Sequence, residues 1–123
     1  MVAALQNNDL ATAENLNKAL EPLFNLVTVT TTEKTPHGEV SCRARNPLAL
    51  KTLMTLLGMP SGGCRQPLGK MTQKGFTVVL DAARSVQTNN PEILQPIAEF
   101  FGVNIEERLE NLDYREGLFY DAY

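Results

Sequence analysis

The chain has 123 residues, of which 43% are hydrophobic and 20% charged, an ordinary mixture for one domain with a packed core. Its formal charge of −3 argues against a nucleic-acid partner, because a phosphate-binding surface needs clustered Lys and Arg. No run reaches the ~18 apolar residues that span a bilayer, and the first residues lack the basic start and apolar centre of a signal peptide. We therefore expect a cytoplasmic protein with no nucleic-acid or membrane partner.

The first predicted helix runs from about Asp9 to Leu26. Leucine and alanine recur there at spacings of three and four, which places them on one stripe of an amphipathic helix, and Asn8 or Asp9 suits its N-cap. Pro22 has no main-chain N–H to donate, so it predicts a kink or an early end. The preceding MVAALQN looks like the tail of another helix.

Residues 27–45 differ in character from the helical segments. The run VTVTTT is β-branched at almost every position, KTPHG has turn chemistry, and EVSCRAR again allows an alternating pattern. This segment predicts either a short hairpin or an extended loop, and the sequence leaves both open.

A well-marked helix is predicted between Asn46 and Gly58. Asn46 suits the N-cap, Pro47 suits the first helical position, and Gly58 suits the C-terminal stop. The enclosed LALKTLMTLL is apolar on most sides, so we expect another domain or a second subunit to cover part of its surface. The following MPSGGCRQPLG is predicted to be a loop, because its glycines and prolines forbid a regular helix.

Three further helical segments follow. Thr72 is predicted to cap a helix that ends near Ser85. Asn90, which precedes a proline, opens a helix that ends at Gly102, and Asn104 opens a last, more acidic one. Capped amphipathic segments account for most of the chain, so the sequence predicts a mainly α fold.

The sequence carries no recognisable catalytic constellation. His37 is the only histidine and lies in a Pro-Gly turn without a nucleophile elbow, which is typical of a solvated turn residue. Cys42 and Cys64 lack the paired, short spacing of a zinc site or a disulfide framework. SGGCRQPLG lacks the spacing of a phosphate loop, so its glycines are assigned to backbone geometry. We therefore predict no catalytic, metal-binding or cofactor-binding residue in this chain.

Aromatic residues are concentrated towards the C-terminus. Exposed aromatics near a chain end often contact a partner or a neighbouring subunit. The candidates are Phe100, Phe101, Phe119, Tyr120 and Tyr123. For the two adjacent phenylalanines among them, we expect burial in the core.

The segment NPLALKTLMTLLGMPSGGCRQPLGKMTQKG carries a family resemblance. Its N-P-x-x-x-K helix, glycine stop and R-x-P-L motif resemble the C-terminal region of the dihydrodipicolinate synthase and N-acetylneuraminate lyase superfamily. The matching positions are Asn46, Pro47, Lys51, Gly58, Arg65, Pro67 and Leu68. Upstream, LQNNDLATAENLNKALEPLFNL is similar to the family's G-D-x-x-x-A-x-x-L-x-x-x-L-x-P-L helix.

The resemblance covers residues 1–85 of a chain that we treat as a single helical domain over residues 1–123. The 27–45 segment is longer than the short connection common in the family, and residues 86–123 form a helical extension beyond the usual end. These two departures leave the substrate subgroup open.

The resemblance implies a parent protein with a (β/α)8 barrel followed by a helical C-terminal domain, and this chain corresponds to that domain. The barrel itself needs about 200 to 250 residues and is absent from the sequence. In the family, a lysine in the barrel forms a Schiff base with pyruvate or a 2-keto acid. The matched Lys51 belongs instead to the helical region, where a salt bridge or a surface role is expected. Arg65 is expected to fix its loop by donating to carbonyl oxygens.

Two functions remain open from the sequence. The favoured hypothesis is a structural and assembly segment of a lyase or aldolase, inactive by itself, with the barrel domain or a homo-oligomer as its partner. The alternative is a free-standing helical protein–protein interaction module whose aromatic, acidic tail binds another protein.

Overall fold

The computed structural model describes residues 1–122, which form a mainly helical structure with one small sheet. Helix accounts for 57% of it, so the predicted mainly α class is confirmed. The α-helices of this part of the chain are α1 (Val2–Gln6), α2 (Leu10–Phe24), α3 (Leu48–Leu56), α4 (Gln73–Asn89), α5 (Gln95–Phe101) and α6 (Ile105–Glu110). Short 3-10 turns lie at Asn25–Val27, Pro91–Ile93 and Leu112–Arg115.

Residues 27–45, for which the sequence allowed either a hairpin or an extended loop, form an antiparallel hairpin. Its strands, β1 (Val29–Thr35) and β2 (Gly38–Ala44), pair over their whole length, and two residues separate them. Gly38 closes this turn with φ of +107°, a backbone region that favours glycine. The β-branched residues of β1 suit a pleated, half-buried strand, and Val29 and Glu33 are its buried positions.

The predicted first helix is confirmed as α2. The Asp9 side chain accepts a hydrogen bond of 3.1 Å from the main-chain N–H of Thr12, which satisfies one of the free donors of the first turn. Pro22 lies inside the helix, and the α-helix ends at Phe24, two residues later. This agrees with the early end that the proline predicted, and a 3-10 turn carries the chain on to the hairpin.

The predicted start of α3 is wrong by one residue. Pro47 has φ of −101° and ψ of 17°, so it is the N-cap and the helix begins at Leu48. Asn46 therefore makes no capping hydrogen bond, and the Leu48 N–H donates to the Arg45 carbonyl instead, over 3.0 Å. The predicted glycine stop is confirmed, because Gly58 follows the helix with φ of +87°.

Helix α4 has the predicted cap but is longer than expected. The Thr72 hydroxyl oxygen accepts a 3.0 Å hydrogen bond from the Gly75 N–H. The helix ends at Asn89 rather than near Ser85, because Val86 continues its buried stripe by one more turn.

The last two helices follow the predicted boundaries in part. Gly102 ends α5 in the left-handed region, and the Asn104 side chain caps α6 by accepting a 3.1 Å hydrogen bond from the Glu107 N–H. The predicted start of α5 after Asn90 is wrong, since a 3-10 turn intervenes and the α-helix begins at Gln95.

One hydrophobic cluster joins both parts of the chain, residues 1–85 and residues 86–122. Its buried members are Leu26, Val29, Leu48, Ala49, Leu53, Leu56, Leu57, Met71, Phe76, Val79, Leu80, Ala83, Val86, Leu94, Ile105 and Leu109. Leu53, Leu56 and Leu57 are 6% exposed or less. The chain itself therefore covers most of the apolar surface of α3, so that burial requires no other domain or subunit.

Candidate functional site

A cavity of about 390 Å³ lies between one side of α3 and the glycine-rich loop that follows it. We call it the α3 cleft. Leu48, Lys51 and Thr55 line it from the helix, residues 59–64 line it from the loop, and residues 69–70 and 117–118 complete its wall. The cleft therefore combines the segment with the family resemblance and the C-terminal extension.

The loop is fastened to α3 by a group of hydroxyls. The Ser61 and Thr55 hydroxyl oxygens lie 2.5 Å apart, and each lies 3.0 Å from the carbonyl oxygen of Lys51. Since Ser61 is ten residues away from Lys51 in sequence, these contacts fold the loop back along the helix. These hydrogen bonds fix the position of the loop, which forms one wall of the α3 cleft.

The C-terminal segment closes the other side of the loop. The Tyr120 N–H donates to the Met71 carbonyl over 3.0 Å, and the Tyr120 hydroxyl oxygen accepts from the Lys70 N–H over 3.2 Å. Gly69 has φ of +60°, and a Cβ there would collide with the Tyr120 hydroxyl. The Phe119 ring packs 5.0 Å from the ring of Phe76 in α4. Glycine at position 69 is thus required both by backbone conformation and by this close approach.

The charged residues that line the α3 cleft are both cations. Lys51 is half-buried and Lys70 is exposed, and no Asp or Glu contributes to the wall. Neither ammonium forms an ion pair with a carboxylate of the described residues, whose ion pairs all involve Lys18 or Arg84. The salt bridge considered for Lys51 is therefore not formed within this part of the chain.

The residues of the family motif do not converge on one site. Asn46 and Pro47 are exposed at the start of α3, and Pro67 is exposed in the loop. Lys51 reaches the α3 cleft, whereas Leu68 lines a separate cavity of about 100 Å³ beside the hairpin. Lys51 is therefore the one polar side chain of the motif that lines the α3 cleft.

Gly58 and Arg108 together finish α3. A Cβ at Gly58 would lie 2.8 Å from the Val103 side chain and 3.6 Å from the Arg108 guanidinium. That guanidinium donates to the carbonyl oxygens of Thr55 and Leu56 over 2.9 and 2.8 Å. The glycine therefore makes room for an arginine that caps the helix from 52 residues away.

The expected role of Arg65 is wrong. Its side chain is exposed and makes no hydrogen bond to a loop carbonyl among residues 1–122, although its own carbonyl accepts the Leu68 N–H over 3.0 Å. Arg108 has the fork of donors engaged with carbonyls, and its guanidinium also stacks 3.8 Å from the centre of the Tyr114 ring. Arg108 thus makes the kind of contact expected of Arg65, but with the end of α3 and not with the loop.

The aromatic residues of the C-terminal part differ in exposure. Phe100 is 82% exposed, so the prediction that it is buried in the core is wrong. Phe101 is half-buried and meets it edge to face, with 4.9 Å between the ring centres. Ile97 and Ala98 pack on the core, so Phe100 lies on the opposite, solvent-facing side of α5. Tyr123 lies outside the described residues.

His37, Cys42 and Cys64 lie in different parts of the structure. His37 is exposed in the hairpin turn, Cys42 is in β2, and Cys64 lines the α3 cleft. In residues 1–122, no three His, Cys, Asp or Glu side chains are grouped as metal ligands. In the same residues, no helix has the length and apolar character needed to cross a membrane.

No protein-family model, curated protein or solved structure matches this chain.

Proposed function

We propose that this chain is a helical structural and assembly segment of a dihydrodipicolinate synthase-like lyase or aldolase. In this proposal the chemistry, a Schiff base with pyruvate or a 2-keto acid, belongs to a barrel domain, and residues 1–123 hold no active site. The motif from Asn46 to Leu68 motivates the choice of family.

Apolar surface on the N-terminal helices, which the described chain does not cover, supports an assembly role. Val2, Leu5 and Leu10, in α1 and at the start of α2, are 65%, 49% and 67% exposed. Fully burying an aliphatic side chain is worth about 1.5 to 3 kcal/mol, so covering these three would contribute roughly 3 to 5 kcal/mol. Since α2 already packs on α4, the uncovered part of the two N-terminal helices faces away from the domain's own core. We assign it to contact with the barrel domain.

The first experiment measures the intact mass of the natural protein that carries this sequence. We expect a polypeptide larger than 13.6 kDa by a barrel of about 200 to 250 residues. Treatment with pyruvate and borohydride should then trap one adduct, mapped to a lysine outside residues 1–123. A natural protein of 13.6 kDa, or an adduct at Lys51, would contradict the proposal.

A second experiment tests the surface. The double substitution Leu5→Glu and Leu10→Glu in the full-length protein should loosen the segment from the barrel, and limited proteolysis or a lowered melting temperature would report it. The matched control is Asn15→Glu with Asn17→Glu, which adds the same charge to exposed positions of α2. Equal effects of the two pairs would argue against a contact through Leu5 and Leu10.

A free-standing interaction module is the second candidate, and Phe100 is the observation that favours it. Phe100 is 82% exposed and lies edge to face with the half-buried Phe101, and aromatic side chains are enriched in protein–protein interfaces. If the natural protein has a mass of 13.6 kDa and elutes as a larger complex, Phe100→Asp should release it while Leu5→Glu with Leu10→Glu should not. The opposite pattern would favour the assembly segment.

A further inference from the structure

We propose that the α3 cleft binds a small organic anion, a molecule with a carboxylate or phosphate head group on a short apolar body. Its volume of about 390 Å³ falls in the range of ligand pockets, which is about 300 to 1,000 Å³. Its wall contains Lys51 and Lys70 and no acidic residue. This inference is independent of the proposed assembly role.

The charge of the surrounding chain segment supports an anionic ligand. Residues 40–80 contain six of the eleven Lys and Arg residues and none of the fourteen Asp and Glu residues. The protein as a whole is acidic, with a formal charge of −3, so this segment is a positive region on a negative molecule. Such segregation raises the local concentration of anions at the α3 cleft.

The glycine-rich loop adds main-chain donors. The N–H groups of Gly62, Gly63 and Cys64 donate no hydrogen bond to any described residue, and all three residues line the cleft. Gly62 has φ of +67°, and a Cβ at Gly62 or Gly63 would meet no atom within 4 Å, so a ligand can approach this backbone closely. Consecutive free N–H groups in a turn are a common way to bind an anionic head group.

The rest of the wall suits an apolar body. Leu48, Met59 and Leu118 contribute aliphatic surface beside the lysines. A free inorganic ion would leave this surface in water, whereas a short hydrocarbon chain would cover it. We therefore assign an organic anion rather than a nucleic acid, whose continuous backbone needs a longer basic surface.

Protection of Cys64 from alkylation tests the proposal. Iodoacetamide is neutral, and Cys64 lies in the α3 cleft, whereas Cys42 lies in the hairpin beside the separate cavity of about 100 Å³ that Lys70 also lines, so the second thiol compares the two cavities. The full chain is labelled in concentration series of inorganic phosphate, butyrate and butanol at constant ionic strength, and each peptide is quantified by mass spectrometry. We expect saturable protection of Cys64 by butyrate, weaker protection by phosphate, and none by butanol.

Charge substitutions locate the site. Lys51→Gln and Lys70→Gln should each weaken butyrate protection by about tenfold, the factor that corresponds to the loss of one charge-assisted contact. Lys34→Gln removes the same charge from an exposed strand position outside the cleft and should change nothing. Because Lys70 is exposed and has no described ion pair, its variant keeps the fold even where the half-buried Lys51 variant disturbs α3.

Several results would overturn the proposal. They are no protection of Cys64, equal protection of both cysteines, protection by butanol equal to that by butyrate, and equal losses in the Lys34, Lys51 and Lys70 variants. The first would show that no anion binds in the cleft. The others would show a general effect of anions or of apolar solutes on the chain.

Discussion

Replacing Arg108 with alanine should destabilise the fold more than any other substitution of an exposed or half-buried arginine. Its guanidinium donates to the Leu56 carbonyl over 2.8 Å and to the Thr55 carbonyl over 2.9 Å. Both carbonyls lie in the last turn of α3, where main-chain acceptors lack partners within the helix. The same guanidinium lies over the Tyr114 ring at 3.8 Å. One side chain thus joins α3, α6 and the following turn.

The cost can be estimated from these contacts. Hydrogen bonds that involve a charged group contribute about 1.5 to 3 kcal/mol each, and a partly exposed cation–π contact contributes about 0.5 to 1 kcal/mol. Water can reach the carbonyls once the side chain is removed, because Arg108 is only half-buried, so the sum is an upper bound. We expect Arg108→Ala to lower the free energy of unfolding by about 2 to 4 kcal/mol. Arg108→Lys should recover part of this, since it keeps the charge but loses the fork.

Urea denaturation followed by circular dichroism measures this loss. With a slope of about 2 kcal/mol per molar urea, 3 kcal/mol would shift the midpoint by about 1.5 M. The control is Arg84→Ala, which breaks the exposed ion pair with Glu110 and should cost about 0 to 1 kcal/mol. If Arg108→Ala and Arg84→Ala differ by less than about 0.5 kcal/mol, the capping of α3 by Arg108 contributes no stability and the reasoning is refuted.

Three further predictions concern local structure. Gly58→Ala should lower the free energy of unfolding by about 1 to 3 kcal/mol, because φ is +87° and the added Cβ meets a valine methyl at 2.8 Å; unchanged urea denaturation would contradict it. Thr31→Val should cost about 1 to 3 kcal/mol, since it removes the 2.9 Å hydrogen bond from the hydroxyl to the buried Glu33 carboxyl; a neutral effect on thermal unfolding would show that the carboxyl finds another donor. The hydrogen bonds from Thr12 lower the pKa of Asp9 below its ordinary value of 3.8, so its contribution to stability is present above that value and is lost as pH falls through the lower, folded pKa. NMR titration of the Asp9 carboxyl should give a midpoint below 3.8, and a midpoint at or above it would exclude the cap.

Local chemistry explains where sequence reasoning succeeded. Thr72 and Asn104 were each expected to begin a helix, and Asp9 was one of two candidates with Asn8; all three accept a hydrogen bond from the N–H three residues later. Such a cap is decided by four consecutive residues, so the sequence contains all the information that it needs. The left-handed backbone of Gly58 and of Gly102 is a similarly local signal for a helix end, although Arg108 adds a distant cap to α3.

Distant contacts explain where prediction from the sequence failed. The exposure of Phe100 depends on which side of α5 packs on the core, and a seven-residue helix with apolar residues at most positions does not settle that. Arg65 and Arg108 have the same side chain, and the choice between them depends on which guanidinium the fold brings to the end of α3. No spacing in the sequence encodes a contact across 52 residues.

The α3 cleft depends both on local signals and on distant contacts. SGGCRQPLG was assigned to backbone geometry, and the positive φ values of Gly62 and Gly69 agree with that assignment. The additional signal was charge, since residues 40–80 contain no acidic residue, but this pattern does not say which lysines share a cavity. Lys51 and Lys70 line one cavity because Ser61 is hydrogen-bonded to α3 and the C-terminal segment is hydrogen-bonded to Met71.

The covering of α3 bears directly on the proposed assembly role. An all-round apolar helix predicts burial, but it does not identify the covering residues, and here α3 packs on α4 and on the 3-10 turn at Asn25–Val27, while Arg108 caps its last turn. The chain itself therefore supplies cover that a neighbouring domain was expected to supply. Apolar surface remains uncovered on α1 and at the start of α2. A contact with a barrel domain would be stabilised by burying the apolar surface of the N-terminal helices. It would gain little from α3, which the chain already buries.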